Sequence, residues 1–362
     1  VAITTKCVRV QLNDSGHIGP EGVAAIREGA AILRSNGLVA FPTETVYGLG
    51  ANALDSSAVE KIFRAKGRPG DNPLIVHIAD LAMLTDLVRN VPSEACRLAQ
   101  KFWPGPLTMV LPCSGRVPKA VTAGLSTVAV RMPDHPVALA LIKEAGVPVA
   151  APSANTSGRP SPTKACHVLE DLGGKVPLVL DGGPVGVGVE STVLDLTVSP
   201  AMVLRPGGIT LEQLQEQLGK VELDPALAEG QSSGGNPEAA TPKSPGMKYT
   251  HYSPDAEVLL VEGPLQEMVA VIREMAAARA REGLKIGIMA SKETASSYSG
   301  FFTLTVGSRE ELSTVAANLY DTLRAFDRHG IELILAEAFP RSGLGLAVMN
   351  RLTKAAGKII NV

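Results

Sequence analysis

The sequence predicts an α/β protein with a twisted mixed sheet in its larger N-terminal part and a smaller parallel sheet at its C-terminal end. Three observations predict it. Apolar runs of strand length alternate with segments of helical period along most of the chain. The 362 residues exceed one ordinary core at roughly 150 residues per domain. One Pro/Gly/Ser-rich stretch divides two such alternating regions.

Taken in order, Val23, Ile26, Ala30 and Leu33 recur at helical spacing, Gly37 stops that helix, and LVAFPT follows as a buried strand. SAVEKIFRAK reads as a helix, PLIVHI as a strand, SEACRLAQKF as a helix, and LTMVL and TVAVRMP as strands. PVALALIKEAG is helical, and VPVAAPSAN is a strand entering a loop. PLVLDGG, STVLDLT and AMVLRPG complete the strands of a first domain, 1–222. Between Pro225 and Gly246, four Pro, four Gly and three Ser fall among 22 residues with one large apolar residue, Leu227, so 223–254 reads as a linker. In 255–362, EVLLVEG, VAVIREMAAARAREG, LKIGIMA, FFTLTVG, ELSTVAANLYDTLRAFDRHG, IELILAE and GLAVMNRLTKAAG again mix strand and helix, which predicts a Rossmann-like domain. Its first strand-to-helix turn, EGPLQ, lacks GxGxxG, so no dinucleotide is expected there.

Composition narrows the function classes. Apolar residues make up 45% and charged residues 19%, a globular balance that excludes disorder throughout and fibrous folds. Net charge is −2, and 255–362 carries 12 basic against 13 acidic residues, so a nucleic-acid role cannot rest on bulk charge. Cys7, Cys96, Cys113 and Cys166 form no CxxC pair and read as reduced thiols, which with no signal peptide and no membrane-length apolar run gives a cytoplasmic expectation.

Polar residues gather at strand exits, where α/β proteins bind ligands. FPTETVYGLG places Thr43, Glu44, Thr45 and Tyr47 after a strand; hydroxyls serving a local turn give the same pattern. Lys66 and Arg68 lie beside a Gly/Pro-interrupted helix end, followed by Asn72, a set that fits a triphosphate or simply the helix C-terminus. His77 sits inside an apolar strand, where a hydrogen-bonded core histidine is the ordinary alternative to a ligand. Arg131 ends an apolar strand and must find an anion or reach solvent. Ser153, Asn155, Ser157 and Ser161 occupy a Pro/Gly-rich loop that suits phosphate or a plain polar turn. DGGPVGVGVEST has no P-loop lysine, GxSxG is absent, and no His/Asp spacing marks a hydrolase triad.

Taken together, FPTETVYGLG, the KxR of Lys66 and Arg68, PLIVHI, VRMP, the SxN of Ser153 and Asn155, GVEST, LRPG and SPGMKYTHYSP resemble the YrdC-domain threonylcarbamoyl-AMP synthases in their long form. The resemblance runs through residues 15–254 by motif and through the remainder by layout, with Thr250 standing where a basic residue is the family's pattern. It implies a YrdC-like catalytic domain and a reaction joining L-threonine, bicarbonate or CO2, and ATP into threonylcarbamoyl-adenylate and pyrophosphate for tRNA modification. By resemblance, threonine lies on Thr45, His77, Arg131, the Ala151 carbonyl and Ser191, with Arg131 taking its carboxylate. ATP lies on Lys66, Arg68, Asn72, Thr127, Ser153, Asn155, Ser161, Arg205 and Tyr252, with Lys66 and Arg68 stabilising charge in the reaction.

Mg2+ accompanies the triphosphate, with no protein metal site expected. Lys248, Tyr249, His251 and Tyr252 form a candidate lid, or an aromatic cluster that docks two domains. Handover to a tRNA-modifying transferase complex follows from the product, no membrane partner is expected, and direct tRNA binding is left open. Two other classes fit fragments of this pattern. An RNA-binding regulator meets an unhelpful net charge, and a hydrogenase-maturation carbamoyl transferase needs zinc-finger CxxC motifs that are missing here.

Overall fold

The computed structural model describes residues 3–13, 16–228, 242–244 and 252–362. It divides into two compact units, one of Val1–Ser157, Ser161–Gly186 and Glu190–Lys248, the other of Gly158–Pro160, Val187–Val189 and Tyr249–Val362. Part of the segment read as linker is tied to the first unit. Strand Val221–Leu223 pairs in parallel with Ala201–Arg205, and Lys243 lies 3.0 Å from the buried carboxylate of Asp195. Residues 245–251, which carry most of the candidate lid, lie outside the described residues.

In the first unit the described strands form one mixed sheet. Its order is Lys6–Arg9, Leu178–Asp181, Val39–Phe41, Gly48–Asn52, Val149–Ala150, Ile75–His77, Thr127–Arg131, Leu107–Pro112, Thr192–Asp195, Ala201–Arg205, Val221–Leu223. Strands read as continuous apolar runs because both faces are covered. Val39 and Phe41 join a cluster with Ala30 and Leu33 of helix Pro20–Arg34 and Leu141 of helix Pro136–Ala145. Ala40, between them, joins the opposite cluster with Ile62, Leu98 and Val130. The period of two thus divides a single strand between two cores.

Helix Ser56–Lys66 is framed by local chemistry. The Asp55 carboxylate accepts from the Ala58 N–H at 2.8 Å as its N-cap, and Gly67 closes it at φ 62°, a left-handed conformation that glycine adopts without a Cβ penalty. The last helical residue, Lys66, is thereby fixed in direction.

The second unit holds an all-parallel sheet ordered Phe302–Gly307, Ile286–Ser291, Leu333–Glu337, Glu257–Glu262, Lys358–Asn361. By chain order these are its third, second, fourth, first and fifth strands. The Rossmann-like expectation therefore holds for a parallel sheet with crossover helices, while the strand order departs from the dinucleotide-binding one. Among the described residues, no helix is long and apolar enough to cross a membrane.

Candidate active site

The centre of the first sheet brings His77 and Arg131 together. Strands Ile75–His77 and Thr127–Arg131 are parallel neighbours whose register sets His77 directly beside Arg131. Both side chains are buried. The Arg131 guanidinium donates from Nε to the Gly105 carbonyl at 3.2 Å and from Nη1 to Thr45 Oγ1 at 2.9 Å. Its Nη2 stands 2.6 Å from Glu44 Oε2 as an ion pair, outside hydrogen-bond geometry. Thr45 is held in turn, since Thr43 Oγ1 lies 2.8 Å from Thr45 Oγ1 and donates to the Val46 carbonyl at 2.7 Å. The loop 43–46 after strand Val39–Phe41 is thus a turn closed by its own hydroxyls, with Thr45 set against Arg131.

His77 meets the edge of the Phe41 ring at 6.3 Å between centroids, and its Nδ1 has no hydrogen-bond partner among the described residues. Burial, and then the Arg131 charge, lower its pKa to about 3, so it is a neutral imidazole at neutral pH. A neutral ring with an unused nitrogen beside a guanidinium can meet a polar ligand without adding charge.

The KxR and SxN motifs are joined by a buried ammonium. Lys66 Nζ donates to the carbonyls of Ser153 at 2.5 Å and Asn155 at 2.6 Å, with Asn155 Oδ1 at 3.4 Å. Lys66 thus braces the loop that carries the SxN motif, a bond that its sequence position did not announce. Burial, then repulsion from Arg68, hold its pKa well below the ordinary lysine value, with Asp171 opposing in part. Arg68 is partly exposed, donates to the Asn72 carbonyl at 3.2 Å and lies over the Phe63 ring at 6.0 Å. Asn72 is fully buried, and its side-chain amide has no partner among the described residues. An unsatisfied buried amide costs about 1–3 kcal/mol.

A third cluster joins GVEST to LRPG. Arg205 donates to the Ser191 carbonyl from Nε at 3.1 Å and Nη2 at 3.0 Å, and to Ser191 Oγ at 3.2 Å. Ser191 Oγ is also 2.7 Å from Thr108 Oγ1. Gly207 lets the chains approach, because a Cβ there would stand 2.3 Å from both the Glu190 carbonyl oxygen and the Thr192 nitrogen.

Of the remaining expected residues, Ala151 is buried and its N–H bonds the Ile75 carbonyl at 3.0 Å, beside His77's strand. Thr127 opens the strand that ends at Arg131 and is partly exposed. Ser161 donates to Glu190 Oε1 at 2.5 Å. Tyr252 belongs to the second unit, where it stacks on Tyr320 at 5.3 Å with the Arg351 guanidinium 5.6 Å from its ring centroid. Four residues without an assigned role in the sequence reading contact these stretches: Glu44 against Arg131, Thr108 on Ser191, Glu190 on Ser161, and Asp171, whose carboxylate accepts from the Thr156 N–H at 3.1 Å. Glu44 and Glu190 lie inside motifs already singled out, so position could have found them. Nothing in the sequence marks Thr108 or Asp171. Among the described residues no group of three or more His, Cys, Asp or Glu could hold a metal ion.

Residues 31–207 match a family model described as "Telomere recombination", and residues 209–357 match "Threonylcarbamoyl-AMP synthase, C-terminal domain". The chain is 52% identical over 333 residues to a Bacillus subtilis threonylcarbamoyl-AMP synthase, covering 92% of this chain and 93% of the relative. It is also 52% identical over 338 residues to that of Pyrococcus abyssi, covering 93% and 96%. A crystal structure of P. abyssi Sua5 complexed with L-threonine superposes with a TM-score of 0.88 at 49% identity, covering 99% of each chain.

Proposed function

The chain belongs to the threonylcarbamoyl-AMP synthase family in its long form, and from that premise we propose how its first unit carries out the reaction. The enzyme joins L-threonine, bicarbonate or CO2, and ATP into threonylcarbamoyl-adenylate with release of pyrophosphate, a nucleotidyl transfer that serves tRNA modification. The threonine amine forms a bond to the carbon of CO2, and a carbamate oxygen then attacks the α-phosphorus while the bond to pyrophosphate breaks. No protein nucleophile is needed, which fits a site of cations, hydroxyls and amides. Its task is to orient two anionic reactants and stabilise charge that shifts to the leaving group.

The observation that carries this reading is the buried group of Arg131, Thr45 and neutral His77 at the sheet centre, an anion receptor with a hydrogen-bonding wall. Arg131 takes the threonine carboxylate, and Thr45, His77, the Ala151 carbonyl and Ser191 surround the rest of the amino acid. The triphosphate lies along Arg68, Asn72, Ser153, Asn155, Ser161 and Arg205, with Thr127 at its edge and Lys66 bracing the loop beneath. Arg68 is a partly exposed cation two residues beyond Lys66, and Asn72 offers an unused amide to the nucleotide. Mg2+ arrives with ATP as part of the substrate, its remaining ligands being phosphate oxygens and water. A cytoplasmic setting fits the four free cysteines, and the product passes to a tRNA-modifying transferase.

The test is incubation of the protein with Mg-ATP, L-threonine and labelled bicarbonate. Pyrophosphate and a labelled adenylate appear together and only with all substrates present. Pyrophosphate without labelled adenylate, or neither, would overturn the assignment.

A further inference from the structure

The carboxylate of Glu44 has an unusual setting. Both of its oxygens are shielded from water and accept no hydrogen bond among the described residues, although Oε2 stands 2.6 Å from Arg131 Nη2. A buried carboxylate normally gathers donors, because two oxygens offer about four acceptor sites and leaving them empty forfeits hydration. Arg131 faces one of these oxygens, Nη2 pairing with Oε2, while its Nε and Nη1 are committed to Gly105 and Thr45, so Oε1 is left without a donor among the described residues. The charged surroundings lean negative on this side. Asp134 follows Arg131, and burial and then Glu44 hold its carboxyl above the usual range. Neither imidazole nearby adds a positive charge at neutral pH, because burial lowers His77 and also His135.

An amino acid reaches this place as a zwitterion. If its carboxylate lies on Arg131, its ammonium is held a fixed short distance away, and Glu44 is a carboxylate set against that guanidinium with an oxygen left over. We propose that Glu44 binds the α-ammonium of the substrate amino acid, so that Glu44 and Arg131 read the two charged ends of the zwitterion as a pair. The inference rests on the reading that Arg131 holds the carboxylate. Capture of CO2 forms the N–C bond and releases two protons from the ammonium to water. The one N–H that remains still donates to Glu44, so the nitrogen keeps its place from zwitterion to carbamate.

The experiment compares L-threonine with 3-hydroxybutyrate, which keeps the carboxylate and the β-hydroxyl but lacks the amine. Binding is measured by calorimetry to the full chain and to Glu44→Gln, whose amide keeps the volume. The unmodified protein binds threonine about 10–100-fold tighter than 3-hydroxybutyrate, as charge-assisted hydrogen bonds in a shielded site give. Glu44→Gln loses most of that preference while its affinity for 3-hydroxybutyrate and ATP stays the same. Three results would overturn the proposal. Equal weakening of both ligands in the variant makes Glu44 only a brace for Arg131. Tighter threonine binding in the variant makes Glu44 a stand-in that the substrate carboxylate displaces. Equal binding of the two ligands by the unmodified protein removes the ammonium site without any variant having to fold. The underlying reading fails separately, if Arg131→Lys leaves 3-hydroxybutyrate binding unchanged.

Discussion

Replacing Arg131 by Met separates what the guanidinium does for the fold from what it does for the substrate. Arg131 side-chain exposure is 4% and that of Glu44 is 13%, so the variant leaves a carboxylate in a shielded place with no cation against it. Breaking one side of a buried ion pair costs ~3–5 kcal/mol, a large part of an ordinary domain's ~5–15 kcal/mol. For a unit of this size, ~2–4 °C per kcal/mol lowers the melting transition of the first unit by ~6–20 °C. Adding Glu44→Gln removes the stranded charge, so the double variant recovers most of that loss, a coupling expected only of residues in contact. Threonine binding behaves differently. Loss of the carboxylate partner costs ~2–4 kcal/mol, or ~30- to 1000-fold in Kd, and the second substitution restores none of it. ATP affinity changes little in either protein. Calorimetric unfolding and threonine titration of the parent, both single variants and the double variant close the cycle. A single Arg131→Met protein as stable as its parent would refute the energetic argument, and unchanged threonine saturation would refute the carboxylate assignment.

Three further outcomes are expected. Lys66→Met frees the Ser153 and Asn155 carbonyls and lowers pyrophosphate release by ~2–3 orders of magnitude, whereas near-normal turnover would reduce Lys66 to a helix-end cation. His77 is held neutral in the fold with a pKa of about 3 against an ordinary 6.5, so the native state binds fewer protons than the unfolded chain between those values. The stability that it contributes is complete above pH 6.5 and declines toward pH 3 at up to about 1.4 kcal/mol per pH unit, with His135 adding in the same direction. Urea unfolding at pH 7 and pH 5 measures the slope, and His77→Gln flattens it; an equal slope in that variant would assign the dependence elsewhere. Gly207→Ala drives a methyl to 2.3 Å from backbone atoms of Glu190 and Thr192, costing ~1–3 kcal/mol and displacing Ser191, so thermal stability and threonine KM worsen together. A fully active, fully stable Gly207→Ala protein would show that the contact relaxes freely.

Local chemistry made much of this protein legible from its sequence. The period of apolar residues gave the helix Pro20–Arg34 and the buried strands, and the Gly/Pro interruption after Lys66 gave the end of the helix Ser56–Lys66, because periodicity and helix stops act over a few residues. The motifs could be read for the same reason, as each is a short piece of chain with its own turn chemistry. What those residues touch was decided by the sheet. Arg131 meets Thr45 across 86 positions of sequence, and Lys66 meets Asn155 across 89, because strand order and register bring distant loops to one place. Lys66 could have pointed to phosphate or to backbone from its sequence position alone. Only the placement of the loop after Val149–Ala150 made it a brace. Glu44 is the sharpest case, a charged residue in a plain hydroxyl turn until the neighbouring strand sets a buried guanidinium against it. Sequence thus determined which residues are chemically able to act, and tertiary packing decided which are already satisfied and which are left with an unused valence, since burial and long-range partners exist only in the fold.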